Sequence, residues 1–218
     1  MSEYHIFMVR HGQTFLNTFH RLQGWIDSGL TNLGQQQAVE TGHRLQSKKF
    51  DLVVSSDLNR AIQTRDLIVE QLSQSSVTTK TDSSFREVFF SAFEGLPADL
   101  VFQKIAQHYG FIDQDDIIAK KGFAFVRQLM RDDDPTHQAE LYSDIISRFR
   151  TGLVHITQTL PHGGNVLIIS HGAFIRTIAD YLGVNVINNF PNNAGITELA
   201  MSLPSNIRMV AYNCDQLS

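Results

Sequence analysis

The chain has 218 residues, 42% hydrophobic and 18% charged, enough to bury a core in one domain and too apolar for a disordered segment. A formal net charge of -4 argues against a general nucleic-acid or anionic-membrane surface, but leaves room for a local basic pocket. The lone cysteine, Cys214, cannot form an internal disulfide, which suits a reducing cytosol, and it reads as a small buried hydrophobe rather than a nucleophile. The opening MSEYHIFMVRHG lacks a basic and then apolar leader, and no apolar run approaches the roughly 20 residues of a membrane span. A cytoplasmic location is therefore expected, with neither membrane nor nucleic acid as partner.

Tyr4 to Val9 reads as a buried strand ending on Arg10, His11 and Gly12. Thr31 caps a helix in which Gly34, Gln36, Ala38, Val39 and Leu45 fit one face. Phe50 to Ser55 is a second strand, and Ser56 or Asp57 is the expected cap of a helix from Leu58 to about Leu72. A polar stretch follows, with a short edge strand at Val77 to Lys80. Between about 97 and 135, helical spacings of Leu100, Ile105, Ile117, Ile118, Phe123, Phe125, Val126 and Leu129 are broken by Gly110, Gly122 and Pro135, which predicts a helical, lid-like insertion. Glu140 to Leu160 is an amphipathic helix, Asn165 to Ser170 a third buried strand ending on His171 and Gly172, and a helix then runs to Leu182. Ile196 to Leu203 and Ile207 to Tyr212 form a hairpin turning at Pro204, Ser205 and Asn206. Strands alternating with helices predict an α/β fold. The expected form is a three-layer sandwich with a mostly parallel central sheet and helices on both faces, one domain over 1–218.

Sites in such sheets gather at the carboxyl ends of strands, and two strands here end in His-Gly, which places His11 and His171 in one pocket. The segment Ser55 to Thr64 also starts where a strand stops. A helix N-terminus and the planar fork of Arg60 there suit a phosphate, although an arginine on a helix is often only an ion-pair partner. Phe85-Arg86-Glu87 precedes Phe89, Phe90 and Phe93. A carboxyl group among aromatics is desolvated and so favours the protonated form a general acid needs, unless Arg86 points at it. His5, His20, His43, His108, His137, His155 and His162 are expected at the surface, and His11 with His171 lacks a third ligand at zinc-type spacing, so neither metal nor cofactor is expected.

Together these segments resemble the histidine phosphatase superfamily, the phosphoglycerate mutase-like proteins. The matching blocks, in order, are Val9-Arg10-His11-Gly12-Gln13-Thr14 with Asn17, then Gly24, Asp27, Leu30-Thr31, Gly34 and Gln37-Ala38. Next come Ser55, Leu58, Arg60-Ala61 and Thr64, then Arg86-Glu87, then Ser170-His171-Gly172. The resemblance implies a phosphoglycerate mutase-like fold and a nucleophilic His11 that attacks phosphorus. It implies that Arg10, Arg60 and His171 hold the phosphoryl oxygens, and that Glu87 protonates the leaving oxygen and then assists water. Asn17, Gln23, Gly24 and Gly172 join the phosphate- and substrate-binding set. The partner it implies is a small phosphorylated metabolite, with a homodimer allowed.

The mutases of this family follow the glutamate with Arg-His-Tyr-Gly, whereas Glu87 is followed by Val88-Phe89-Phe90-Ser91. The segment through Gly95 is more similar to the phosphatase branch, from which Ser91 and Phe93 depart. A metal-independent phosphomonoesterase is thus the expected activity, with phosphoglycerate mutase and a catalytically silent binding module as the other readings. The apolar residues Leu100, Phe102, Phe123 and Phe125 either meet a flat or apolar substrate or pack the insertion onto the sheet, the second being the weightier expectation.

Overall fold

The structure is a computed structural model and describes residues 3–214. Six strands form one sheet in the order β3-β2-β4-β1-β5-β6: β1 is Tyr4–Arg10, β2 Leu52–Ser55, β3 Thr79–Thr81, β4 Gly164–Ser170, β5 Ile196–Leu203 and β6 Asn206–Cys214. β1 pairs parallel with β4, and β2 parallel with both β4 and β3. β5 is antiparallel to β1 and to β6, so the sheet is mixed, with its parallel part where the sequence predicts it.

Alternation along the strands builds two cores. Ile6, Met8, Val54, Val166 and Ile168 face one side. There they meet helices α4 (Ala98–His108), α5 (Gln114–Lys121), α6 (Phe123–Asp133), α7 (Tyr142–Thr159) and α8 (Gly172–Tyr181). Phe7, Val9, Val53, Leu167 and Ile169 face the other, against Ala38 and Leu45 of α2 (Asn32–Leu45) and Ala61 and Ile68 of α3 (Asn59–Val69). The central strands β1, β2 and β4 are buried on both faces, which is why they read as near-continuous apolar runs.

The insertion is helical as expected. Ile105, Ile117, Ile118, Phe123, Val126 and Leu129 all enter the first core, but Leu100 is turned outward at 53% exposure and Val101 takes the inner position. Helix α2 is capped by the Thr31 side chain, as read. Helix α3 departs from expectation. Its cap is Leu58, which offers no side-chain bond, because both polar candidates are taken: Ser56 Oγ by His171 and Asp57 by Arg86. Cys214 is half-buried rather than buried, since β6 forms the sheet edge.

Candidate active site

Strand register sets the site. β1 and β4 align Arg10 with Ser170, and the His11 N–H continues the ladder by donating to Ser170 O at 3.0 Å. On the other side of β4, Ser56 N–H donates to Ile169 O at 3.0 Å. The carboxyl ends of three adjacent strands therefore present His11, His171 and Ser56 side by side, with the two imidazole centroids 5.2 Å apart at 60°.

The tautomer of His11 follows from its partner. Nδ1 lies 2.8 Å from Gly12 O, and a carbonyl can only accept, so Nδ1 carries the hydrogen and Nε2 keeps its lone pair. Burial, reinforced by the charges of Arg60 and Arg10, pushes the His11 pKa well below the usual histidine value, so the ring is neutral at pH 7. His171 is fully buried and shifted the same way, by burial first and then by Arg60 and His11. Its Nε2 meets Ser56 Oγ at 2.6 Å, while Nδ1 is buried with no partner.

Arg10 reaches Pro191 O with Nη1 at 2.7 Å and stacks on Phe190, while its Nε is buried and unpaired. Burial lowers its pKa to about 10, still charged at neutral pH. Arg60 is more occupied than the resemblance implies. Its Nη atoms donate to Ile26 O (3.0 Å), Asp27 Oδ1 (2.9 Å), Gln23 O (3.3 Å) and Gly24 O (2.7 Å), leaving only a buried, unpaired Nε. The anion at the start of α3 is likewise internal: Asn59 N–H donates to Asp27 Oδ2.

Glu87 is 5% exposed. It shares the cavity wall with Phe90, Phe102 and Phe123, and its carboxylate accepts three backbone N–H groups: Val88 at 2.8 Å and Phe174 at 2.7 Å on Oε1, and Ala173 at 2.9 Å on Oε2. The last two belong to the first turn of α8, where a helix N-terminus favours an acceptor of negative charge. Arg86 does not face Glu87. It forms a two-point pair with Asp57 at 2.7 and 2.6 Å, which holds the Asp57 carboxyl below its usual pKa, and it stacks on Trp25.

A cavity of about 140 Å³ opens onto these groups, lined by Arg10, His11, Asn17, Gln23 and Glu87 among the residues named from sequence. Arg60, His171, Gly24 and Gly172 do not line it. Gln23 is held structurally, accepting from Thr14 Oγ1 at 2.6 Å and donating to Ser28 at 3.1 Å. Asn17 Oδ1 accepts from Thr14 N–H and from Asn193 Nδ2. Gly24 leaves no space for a side chain: a Cβ there would sit 2.4 Å from Val88 O. One at Gly172 would sit 2.6 Å from the Phe190 ring and 3.0 Å from Arg10 Nε.

Three further arginines line the cavity, and none was legible in the sequence: Arg21, Arg127 and Arg176. Arg176 is tied to Val186 O, Gln114 and Asp115. Arg127, on α6, is 2% exposed; among the described residues it pairs with no carboxylate and bonds only the Met130 sulfur at 3.6 Å, and it lies against Phe90 and Phe123. Burial lowers its pKa to about 10. Of the insertion's aromatics, Phe123 is buried in the core and Phe125 packs against it, while Phe102 and Phe123 also form cavity wall. The seven remaining histidines are all exposed. Among the described residues, no three His, Cys, Asp or Glu side chains come together as a metal-ligand set.

A broad-specificity phosphatase of Saccharomyces cerevisiae is 32% identical over 182 residues, spanning 81% of this chain and 69% of that protein. A 2,3-bisphosphoglycerate-dependent phosphoglycerate mutase of Brucella anthropi is 32% identical over 177 residues, spanning 78% of this chain and 77% of its own. A crystal structure of phosphoglycerate mutase from Bacillus anthracis superimposes with a TM-score of 0.86 at 29% identity, covering 97% of this chain and 93% of that one. The family model described as histidine phosphatase superfamily (branch 1) matches residues 6–214, and the chain belongs to that superfamily.

Proposed function

We propose that the chain hydrolyses a small phosphorylated metabolite of the cytoplasm, a phosphomonoester, through a phosphohistidine on His11 and without a metal ion. One observation carries this reading: a buried imidazole is held neutral with its Nε2 lone pair free, beside buried donors with nothing to bond. Those donors are Arg10 Nε and Arg60 Nε, with the unpaired Nδ1 of His171 nearby. Unpaired buried donors cost stability, and a phosphoryl group in the cavity that Arg10 and His11 line would meet the Arg10 guanidinium first.

In the first step His11 Nε2 attacks phosphorus and an N–P bond forms. The bond to the ester oxygen breaks, and that oxygen takes a proton from the Glu87 carboxyl group. In the second step water attacks the phosphohistidine, its proton passes to Glu87, and His11 returns to neutral imidazole with release of inorganic phosphate. Oε2 of Glu87 accepts one hydrogen bond, from Ala173 N–H, and so has a lone pair to carry that proton. Arg10, Arg60 and Arg127 supply the positive charge that offsets the phosphoryl dianion.

Hydrolysis is favoured over transfer to a second hydroxyl because Val88-Phe89-Phe90-Ser91 follows Glu87 in place of the polar mutase sequence. The mutase reading is kept because phosphoglycerate mutases are among the relatives. Native protein in EDTA is expected to release phosphate from p-nitrophenyl phosphate, with loss of at least about 10³-fold in His11→Ala. Vanadate, a mimic of pentacoordinate phosphorus, is expected to inhibit. Silence on every ester together with interconversion of phosphoglycerates would replace the hydrolase reading by the mutase one.

A further inference from the structure

We propose that Arg148, with its partner Glu140, is a positioning residue for Glu87: it sets where the general acid stands, from the far side of the backbone. The inference rests on the reading of Glu87 as proton donor. Arg148 lies on α7, remote in sequence from every block of the family signature. A guanidinium has five N–H donors, and Arg148 makes five hydrogen bonds. Nη1 donates to Ser84 O at 3.0 Å and Arg86 O at 2.6 Å. Nη2 donates to Glu87 O at 3.2 Å and Glu140 Oε2 at 3.0 Å. Nε donates to Glu140 Oε1 at 2.6 Å.

The three carbonyls belong to the segment that carries Glu87, and Glu140 grips that segment just beyond it. Phe89 N–H donates to Glu140 Oε2 at 3.1 Å, and Glu140 N–H donates back to Phe89 O at 2.9 Å. Residues 84–89 form neither helix nor strand apart from a single 3-10 turn at Ser83–Phe85, so this pair supplies the anchorage that regular structure would otherwise give. The other end of Glu87 is held by the same arginine at one remove. The Arg148 guanidinium stacks on the Phe174 ring at 4.5 Å, and Phe174 N–H donates to Glu87 Oε1 at 2.7 Å. A lysine has a point charge and no planar fork, so it cannot span a carboxylate and three carbonyls at once.

The test is the dependence of kcat/KM on the leaving group, measured over a series of aryl phosphates from p-nitrophenyl to phenyl. A proton donor matters least for p-nitrophenolate and most for phenolate. Native protein is expected to show a shallow slope and Glu87→Gln a steep one. Arg148→Lys and Glu140→Gln are each expected to fall toward the Glu87→Gln slope, losing on the order of tenfold more on phenyl than on p-nitrophenyl phosphate. A merely structural residue would lower both esters alike, so parallel loss in both variants overturns the proposal. If Arg148→Lys does not fold, Glu140→Gln carries the test. A Glu87→Gln slope equal to the native one would instead show that Glu87 is not the acid, which overturns that reading and this proposal with it.

Discussion

Single residues divide by what their side chains bond. His11, Arg10, His171 and Glu87 were legible because each stands in a short motif at the end of a strand or turn. Arg127, Arg148, Glu140 and Glu94 were not. Arg127 meets only side chains, and the others bond largely to main-chain groups, all brought near only by folding: Glu94, for instance, accepts from the N–H groups of Gly24, Trp25, Ile26 and Phe90. A sequence shows side-chain types and spacings, and a loop carbonyl leaves no mark there. Arg127 yields a paired prediction. Replacing a buried unpaired cation by an apolar chain of similar length is expected to leave Tm unchanged or higher, because its desolvation cost is removed. The same Arg127→Met change is expected to lower kcat/KM about tenfold, if its charge meets the substrate's phosphate. Thermal denaturation and steady-state kinetics check the two halves, and a Tm loss with unchanged kinetics would make Arg127 a packing residue.

Between elements, close backbone approach decides where the catalytic loop sits. Gly34, in the first turn of α2, lies so near the loop after His11 that a Cβ would stand 2.0 Å from Gln13 O. One at Gly12 would stand 2.2 Å from Gly34 O. Neither obstacle is a flexible side chain, so the loop must move. Gly34→Ala is expected to cost on the order of 2 kcal/mol, read from denaturant unfolding, and to lower kcat as the His11 loop shifts. Strand positions were legible because β1, β2 and β4 are buried on both faces. The cap of α3 was misread for the opposite reason, since Ser56 and Asp57 answer to His171 and Arg86 rather than to their own helix. Elements that serve the site break local rules, and the sequence of the element alone does not reveal which partner wins.

For the whole molecule, two buried neutral histidines link stability to pH. In the unfolded chain each titrates at about 6.5, while in the fold both are held well below that value by burial and neighbouring arginines. Between those limits the unfolded state binds more protons, so stability falls as pH is lowered through and below about 6.5. The slope approaches about 1.4 kcal/mol per pH unit for each histidine. His171→Asn is expected to flatten the dependence of Tm on pH below 6.5, and an unchanged slope would place the titrating groups elsewhere. The depressed His11 pKa has a kinetic counterpart under the proposed mechanism: a His11 nucleophile that stays deprotonated in mildly acidic solution is expected to put the acid limb of kcat/KM below the usual histidine value.

The central proposal is a covalent intermediate on the neutral His11, and rapid-quench trapping tests it most directly. Native protein mixed with p-nitrophenyl phosphate in EDTA, denatured in base and mapped by mass spectrometry, is expected to carry an acid-labile phosphoryl group on His11 alone, absent from His11→Ala. Turnover with no phosphoprotein, or with the phosphoryl group on another residue, would contradict the account.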